Sequence, residues 1–214
     1  SRDLPQEVID GVLDRHGVSG ERPFILQVSR FDRLKDPLGA LKAYEMVKRT
    51  IDVGFVFVGN FAPDDPEAKE VLEEVLEAAD KIPDTIVIVN PEDNDTTVNA
   101  LQSSADVVIQ KSLREGFGLV VTEAMWKSRP VVAGDTGGIA FQIVDGVSGF
   151  LVQTVEGAAY RLRQVLSTPP LAGILGAEAH QRVRGTFLPP HYVRNWLCVL
   201  LAARDRGRGV TVLP

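Results

Sequence analysis

The sequence predicts an α/β domain built on a doubly wound parallel sheet. Six short runs rich in Val, Ile and Phe are spaced along the chain, and amphipathic segments lie between them. The runs are almost continuously hydrophobic, which is typical of strands buried on both faces of a parallel sheet. The strict alternation favours right-handed crossovers from strand to helix to strand. A chain of 214 residues suits one domain, covering 1–214.

The strands and helices can be assigned in chain order. The expected strands cover 24–29, 53–59, 85–89, 106–110, 130–134 and 149–152. The expected helices cover 36–49, 65–80, 96–104, 118–127 and 138–145, because their apolar residues recur at helical spacing. Asp-Pro pairs open the first two of these helices, with Asp as the N-cap and Pro at the first helical position.

The two ends of the chain are also predicted to be helical. The N-terminal ten residues read as the start of a helix, as if the chain had been cut from something longer. After residue 152 we expect mostly helix to about residue 204, with the Pro-rich stretch 167–173 as a connection between helices. The tail, 205–214, is expected to be loose or to pack on something outside this chain.

Composition narrows the class of protein. The formal charge of −6 argues against nucleic acid as the main partner, which usually needs a basic surface. No apolar run approaches the roughly 18 residues of a membrane span, and the N-terminus lacks a signal-peptide core. Cys198 is the single cysteine, so no internal disulfide can form, and its apolar surroundings predict a buried thiol. We therefore expect a cytoplasmic protein.

Ligands of open α/β sheets bind beyond the carboxyl ends of the strands, so the loops there matter most. Arg30 and Lys35 flank the loop after the first strand, where a guanidinium fork and an ammonium suit a diphosphate. Solvated surface charges are the alternative. Gly59 ends the second strand and permits close approach of a ligand, but taken alone it is a weak signal that more often marks a plain strand-end turn.

The stretch "SLREGFGLVVTEAMWK" places two carboxylates around a helix start. Gly116 and Gly118 free the backbone before a helix that begins near Leu119, and the unpaired N–H groups there favour a phosphate. Glu123, one turn into the helix, can accept hydrogen bonds from a ribose diol, and Glu115 can hold a second set of hydroxyls. A glycosidase pair would lie astride one bond instead. Acids that only complement the helix dipole are the remaining alternative.

The remaining polar groups give weaker evidence for a binding or metal site. Gly137 and Gly138 form either a second nest of backbone donors or a tight strand-to-helix turn. The three histidines show no metal-ligand spacing, and the acidic stretches 64–65 and 92–95 fit helix caps and a loop better than a metal site. We expect no metal site and no tightly bound cofactor.

Taken together, these loops resemble the retaining GT-B-type glycosyltransferases that use sugar nucleotides. The shared pattern is an Arg…Lys pair after the first strand, Gly after the second, E-G-F-G-L with a second Glu eight positions on, then P-V-V and G-G. The resemblance covers residues 24 to about 152. Within the family, "QVSRFD", "REGFGLVVTEAMWK" and "GGIAFQIVDG" look most like the synthases that form trehalose. One departure is Gln142, near which many members carry Glu.

The resemblance implies roles for individual residues. Arg30, Lys35 and Glu115 are the implied catalytic residues: the two cations neutralise the diphosphate leaving group, and Glu115 holds the transferred sugar. Further donor-binding positions are implied at Gly59 near the ligand, Val89 and Asn90 near the base, Gly116, Phe117 and Gly118 around the sugar, Leu119 and Val120 at the phosphate, and Glu123 at the ribose.

The resemblance also implies a fold and partners. GT-B enzymes have two Rossmann-like domains, and this chain has the length of the C-terminal, donor-binding one, so the acceptor-binding N-terminal domain is the missing partner. The implied donor is ADP-glucose or UDP-glucose, and Mg²⁺ would come only with the nucleotide. A non-catalytic sugar-nucleotide-binding module and a synthase with another acceptor, such as one that forms sucrose, are the alternatives. A homodimer stays open.

Overall fold

The computed structural model describes residues 3–61 and 64–204. Six parallel strands form one sheet: β1 (Phe24–Val28), β2 (Gly54–Gly59), β3 (Thr85–Val89), β4 (Val107–Gln110), β5 (Val131–Gly134) and β6 (Phe150–Val152). Each observed strand end lies within one residue of its predicted position. The spatial order is β3-β2-β1-β4-β5-β6. The predicted doubly wound parallel sheet is therefore confirmed, and its strand order reverses between β1 and β4, which is where such sheets bind ligands.

The helices of the described residues are α1 (Gln6–Arg15), α2 (Pro37–Lys48), α3 (Pro66–Asp80), α4 (Asn94–Ser104), α5 (Leu119–Trp126), α6 (Ile139–Gln142), α7 (Val155–Leu166), α8 (Pro169–Thr186) and α9 (Pro189–Arg204). Asp65 and Asp93 cap α3 and α4 by accepting hydrogen bonds from backbone N–H groups of the first turn, as predicted for these acidic stretches.

Two helix predictions need correction. The helix predicted over 138–145 is a single turn, because the backbone becomes extended at Ile143. The Pro-rich stretch 167–173 is not a connection, since its two prolines occupy the first positions of α8. Proline suits those positions because its missing N–H would have no partner there.

Helices cover both faces of the sheet. On one face α1, α4, α5 and α8 pack on the even residues of β1, and on the other α2, α3 and α7 pack around Ile25 and its neighbours. All five residues of β1 are buried, as expected for a central parallel strand. This double cover leaves the carboxyl ends of β1 and β4 as the open edge at which side chains can meet a ligand.

The helix α9 differs from the others because it buries none of its residues against the described chain. Cys198 lies on this helix and is exposed, so the prediction of a buried thiol is wrong. The residues around Cys198 are apolar, but no surface of the described chain covers them. The predicted tail, 205–214, lies outside the described residues. Among the described helices, none has both the length and the hydrophobicity needed to cross a membrane.

Candidate functional site

The loops after β1 and β4 meet at the reversal point of the sheet and bring two predicted site residues together. The ammonium Nζ of Lys35 lies 2.6 Å from Oε2 of Glu115, and the two side chains are 16% and 12% exposed. An ammonium has three N–H donors, so Lys35 can contact Glu115 and still donate to a further acceptor.

The Glu115 carboxylate is held from its own loop as well. Its Oε2 accepts a hydrogen bond from Oγ of Ser112 at 3.4 Å, and its Oε1 accepts from the N–H of Gly116 at 3.1 Å. A carboxylate has about four lone-pair sites, so these contacts leave Glu115 able to accept from sugar hydroxyls. A Cβ on Gly116 would meet no atom within 4 Å, and this side of the loop is therefore open to a ligand.

The start of α5 has the geometry predicted for an anion site. Gly118 is the N-cap in the left-handed conformation, with φ 84° and ψ 61°, and no side chain caps the helix. No hydrogen bond within the described residues uses the N–H groups of Leu119 and Val120. These donors and the helix dipole point positive charge toward the open edge of the sheet.

A cavity of about 690 Å³ lies beside this helix start, between the ends of β1 and β2 and the helices α4 and α5. Its volume is in the range of small-molecule sites. Four predicted site residues line it: Arg30, Gly59, Val120 and Glu123. The Arg30 side chain is 72% exposed, and its guanidinium lies 3.3 Å from Oδ2 of Asp32, which leaves most of its N–H donors free for an anion.

Gln102 and Lys127, which sequence reasoning missed, form a chain of hydrogen bonds that ends at the carboxylate of Glu123. Nε2 of Gln102 donates to Oε2 of Glu123 at 3.5 Å, and Nζ of Lys127 donates to Oε1 of Gln102 at 2.8 Å. Burial lowers the pKa of the Lys127 ammonium below its ordinary value, and the Glu123 carboxylate offsets part of that shift. Lys127 follows Glu123 by four residues, and this helical spacing was the signal that could have identified it.

The structure does not bring Val89 and Asn90 to the cavity. Val89 packs against the core cluster of α2 and α3. Oδ1 of Asn90 accepts from the N–H of Phe61 at 3.0 Å and its Nδ2 donates to the carbonyl of Phe61 at 3.3 Å, so the turn after β3 closes on the loop after β2. The residues that face the cavity from this side are instead on α4, beginning at Asn94.

Comparison with known proteins decides the family. The family model described as "Glycosyl transferases group 1" matches residues 12–182, most of the chain. The chain belongs to this family. This group 1 glycosyl transferase is 47% identical over 186 residues to a trehalose synthase of Rubrobacter xylanophilus, an alignment that covers 86% of this chain and 44% of that protein. The chain thus spans about half the length of the curated relatives it matches.

Solved structures share the fold of this glycosyl transferase. A glycosyltransferase of Rickettsia africae superposes with a TM-score of 0.79 at 22% identity, covering 92% of this chain and 52% of that one. HepE of Anabaena, solved in complex with UDP-glucose, superposes with a TM-score of 0.72 at 19% identity, covering 85% of this chain and 49% of that one. The prediction of one Rossmann-like half of a GT-B glycosyltransferase is confirmed as to fold and family.

In this glycosyl transferase the loop before α5 is packed against the turn that starts α6. The N–H of Gly138 donates to the carbonyl of Gly116 at 2.7 Å, and a Cβ on either Gly137 or Gly138 would collide with the backbone of residues 115–117. Of the two interpretations of the Gly-Gly pair, the tight turn therefore fits Gly138 better, because its N–H is already engaged.

Gln142 also holds this loop, which sequence reasoning did not anticipate. Its side chain is wholly buried, and Nε2 donates to the carbonyl of Phe117. Arg182 on α8 in turn donates to the carbonyls of Gln142 and Phe141. The conformation of the loop before α5 is thus set by α6 and α8.

Replacing Gly137 by alanine is expected to lower the free energy of unfolding by about 3 kcal/mol, because strain at its positive φ adds to overpacking. Its φ is +49°, and the new Cβ would collide with the carbonyl oxygen of Glu115. Gly146→Ala is the matched control: φ is +74° there, but no atom lies within 4 Å, so only about 1 kcal/mol of strain is expected. Urea unfolding of both variants measures this difference, and equal losses would contradict the packing described here.

Within the described ranges, no group of three or more His, Cys, Asp or Glu side chains is placed to hold a metal ion. The chemistry that the described site residues offer is electrostatic: a guanidinium, an ammonium and two backbone N–H groups face one edge, with a carboxylate on each side.

Proposed function

We propose that this chain is the donor-binding half of a retaining glucosyltransferase that transfers glucose from ADP-glucose or UDP-glucose to glucose and so forms trehalose. The observation that carries the proposal is the arrangement around α5. A cavity with Glu123 at its wall leads to the uncapped helix start, and the Lys35–Glu115 pair lies at the opposite loop.

In this proposal the donor lies along that path. The nucleoside occupies the cavity, with its ribose hydroxyls donating to Glu123. The diphosphate accepts hydrogen bonds from the N–H groups of Leu119 and Val120 and from Lys35, with Arg30 as a further cation. The glucose then reaches Glu115 and the open face of Gly116.

The reaction needs no protein nucleophile in this scheme. A hydroxyl of the acceptor glucose attacks the anomeric carbon on the face from which the diphosphate departs. The bond from that carbon to the phosphate oxygen breaks, and the departing phosphate oxygen takes the hydroxyl proton. The protein stabilises the negative charge that grows on the diphosphate, which is commonly the largest contribution to catalysis.

The identity of the sugars rests on the relatives. A protein 47% identical over 186 residues is named a trehalose synthase, and a structure of the same fold was solved with UDP-glucose. The acceptor glucose would be bound mainly by the N-terminal half, which this chain does not span.

Isothermal titration calorimetry with ADP, UDP and their glucose conjugates tests the proposal, with and without Mg²⁺. We expect saturable one-site binding of at least one diphosphate, and weaker binding of AMP and UMP because they lack the second phosphate. If none of the four diphosphate ligands binds under either condition, the proposal fails. Mixing the chain with an N-terminal half and assaying trehalose then tests the transfer itself.

A further inference from the structure

Two ion pairs of opposite polarity join the loops after β1 and β4. Lys35 supplies the cation and Glu115 the anion of the first pair. In the second, Asp36 supplies the anion and Lys111 the cation. The backbone adds a third link, since the N–H of Leu113 donates to the carbonyl of Leu34 at 2.8 Å. The neighbours Lys35 and Asp36 are thus both fixed to the same opposite loop.

Lys111 is an unusual residue at this position because it is 5% exposed and directly follows the buried strand β4. An ammonium in such an environment is unfavourable unless it is paired. Its ion-pair partner within the described chain is Asp36, whose side chain is 19% exposed. The ammonium of Lys111 faces Oδ2 of Asp36 and the side chain is 6% exposed, so little of it is accessible to a ligand.

Asp36 is strained as well as charged. Its backbone is left-handed, with φ 49° and ψ 53°, a conformation that few residues other than glycine adopt. Its Oδ1 caps α2 by accepting from the N–H of Gly39 at 3.1 Å, while Oδ2 faces Lys111. A Cβ at position 39 would overlap this carboxylate, so the glycine leaves room for it. The ion pair with Lys111 therefore fixes the sharp turn that directly follows Lys35.

We propose that Lys111 and Asp36 are positioning residues that hold Lys35 at the distance from the start of α5 that a diphosphate requires. This inference rests on the proposed function, because it assigns Lys35 to the diphosphate. Lys111 itself does not touch the donor. It acts through the turn at Asp36, and its loss is expected to move the ammonium of Lys35 relative to the N–H groups of Leu119 and Val120.

The decisive variant is Lys111→Met, which keeps the length of the side chain and removes its charge. Calorimetry with UDP and ADP is expected to show a dissociation constant about 10-fold higher than in the unaltered chain. UMP and AMP should change by no more than about 2-fold, since Glu123 and the cavity walls lie on other elements. A general loss of structure would weaken all four ligands alike, and that result would overturn the inference.

A double-mutant cycle with Lys35→Met separates positioning from a direct electrostatic effect. If Lys111 acts through Lys35, then Lys111→Met has no further effect on UDP affinity once Lys35 is replaced. Additive losses would overturn the inference. The proposed function is judged separately, by whether the unaltered chain binds UDP or ADP at all.

Two further variants distinguish the proposed positioning effect from misfolding. Lys111→Met combined with Asp36→Asn removes both charges, and Asn still caps a helix and tolerates the left-handed conformation. It should fold and bind UDP about 10-fold more weakly; affinity equal to that of the unaltered chain would overturn the inference.

Lys48→Met is the matched control, because Lys48 is 15% exposed and is paired with Asp84 at the opposite end of the sheet. It should lower the melting temperature without changing UDP affinity.

Discussion

Replacement of Lys35 by alanine is expected to lower the turnover number for glucosyl transfer by about 10²–10³-fold. In the proposed reaction, charge on the leaving diphosphate grows as the sugar bond breaks, so the ammonium is expected to stabilise the transition state more than the bound donor. Its position supports this role, because it is 16% exposed and is fixed by Glu115 at the edge of the site. The affinity for the donor should fall less, by about 10-fold.

Steady-state kinetics of an enzyme that contains both halves, together with calorimetry of the donor, measures the two effects. Lys42→Ala is a suitable control, because Lys42 lies on the exposed side of α2 and should leave both quantities unchanged. Equal losses in turnover and in donor affinity would contradict the assignment of Lys35 to the leaving group.

Replacement of Glu123 by glutamine is expected to weaken the binding of UDP or ADP by about 10–100-fold, since hydrogen bonds to a charged acceptor are stronger than those to an amide. The carboxylate lines the cavity and is oriented by Gln102. If it accepts from the ribose diol, the unaltered chain should prefer a ribonucleotide over its 2′-deoxy analogue. The variant should lose most of that preference.

Calorimetry with ADP and 2′-deoxy-ADP, and with the corresponding uridine pair, measures the preference directly. Glu156→Gln is the control, because Glu156 is an exposed acid in the first turn of α7 and faces no part of the cavity. A Glu123→Gln variant that keeps the full preference for the ribonucleotide would show that another group recognises the ribose.

The sheet was predictable from the sequence because its strands carry a strong local signal. The five residues of β1 are all apolar except Gln27, and all are buried, so the run itself marks a central strand. The start of α5 was equally clear, since a Gly-Phe-Gly turn before an apolar helix constrains the backbone. These features depend on a few neighbouring residues, which a single sequence displays fully.

Features that depend on contacts between distant loops were harder to predict. The resemblance implied a place near the base for Asn90; its side chain is hydrogen-bonded to the backbone of Phe61, and nothing local to either residue indicates this contact. The thiol of Cys198 was assigned to the interior because its neighbours are apolar, yet burial also requires a covering surface. The ion pair of Lys111 could have been predicted, since a lysine that directly follows a buried strand needs a partner of opposite charge.

A crystal structure of the chain with UDP-glucose or ADP-glucose is the most direct measurement of where the diphosphate lies. Phosphate oxygens are expected about 3 Å from the N–H groups of Leu119 and Val120 and from Nζ of Lys35, with the ribose against Glu123. A diphosphate bound away from the start of α5, for example at the Gly137–Gly138 turn, would contradict the central claim.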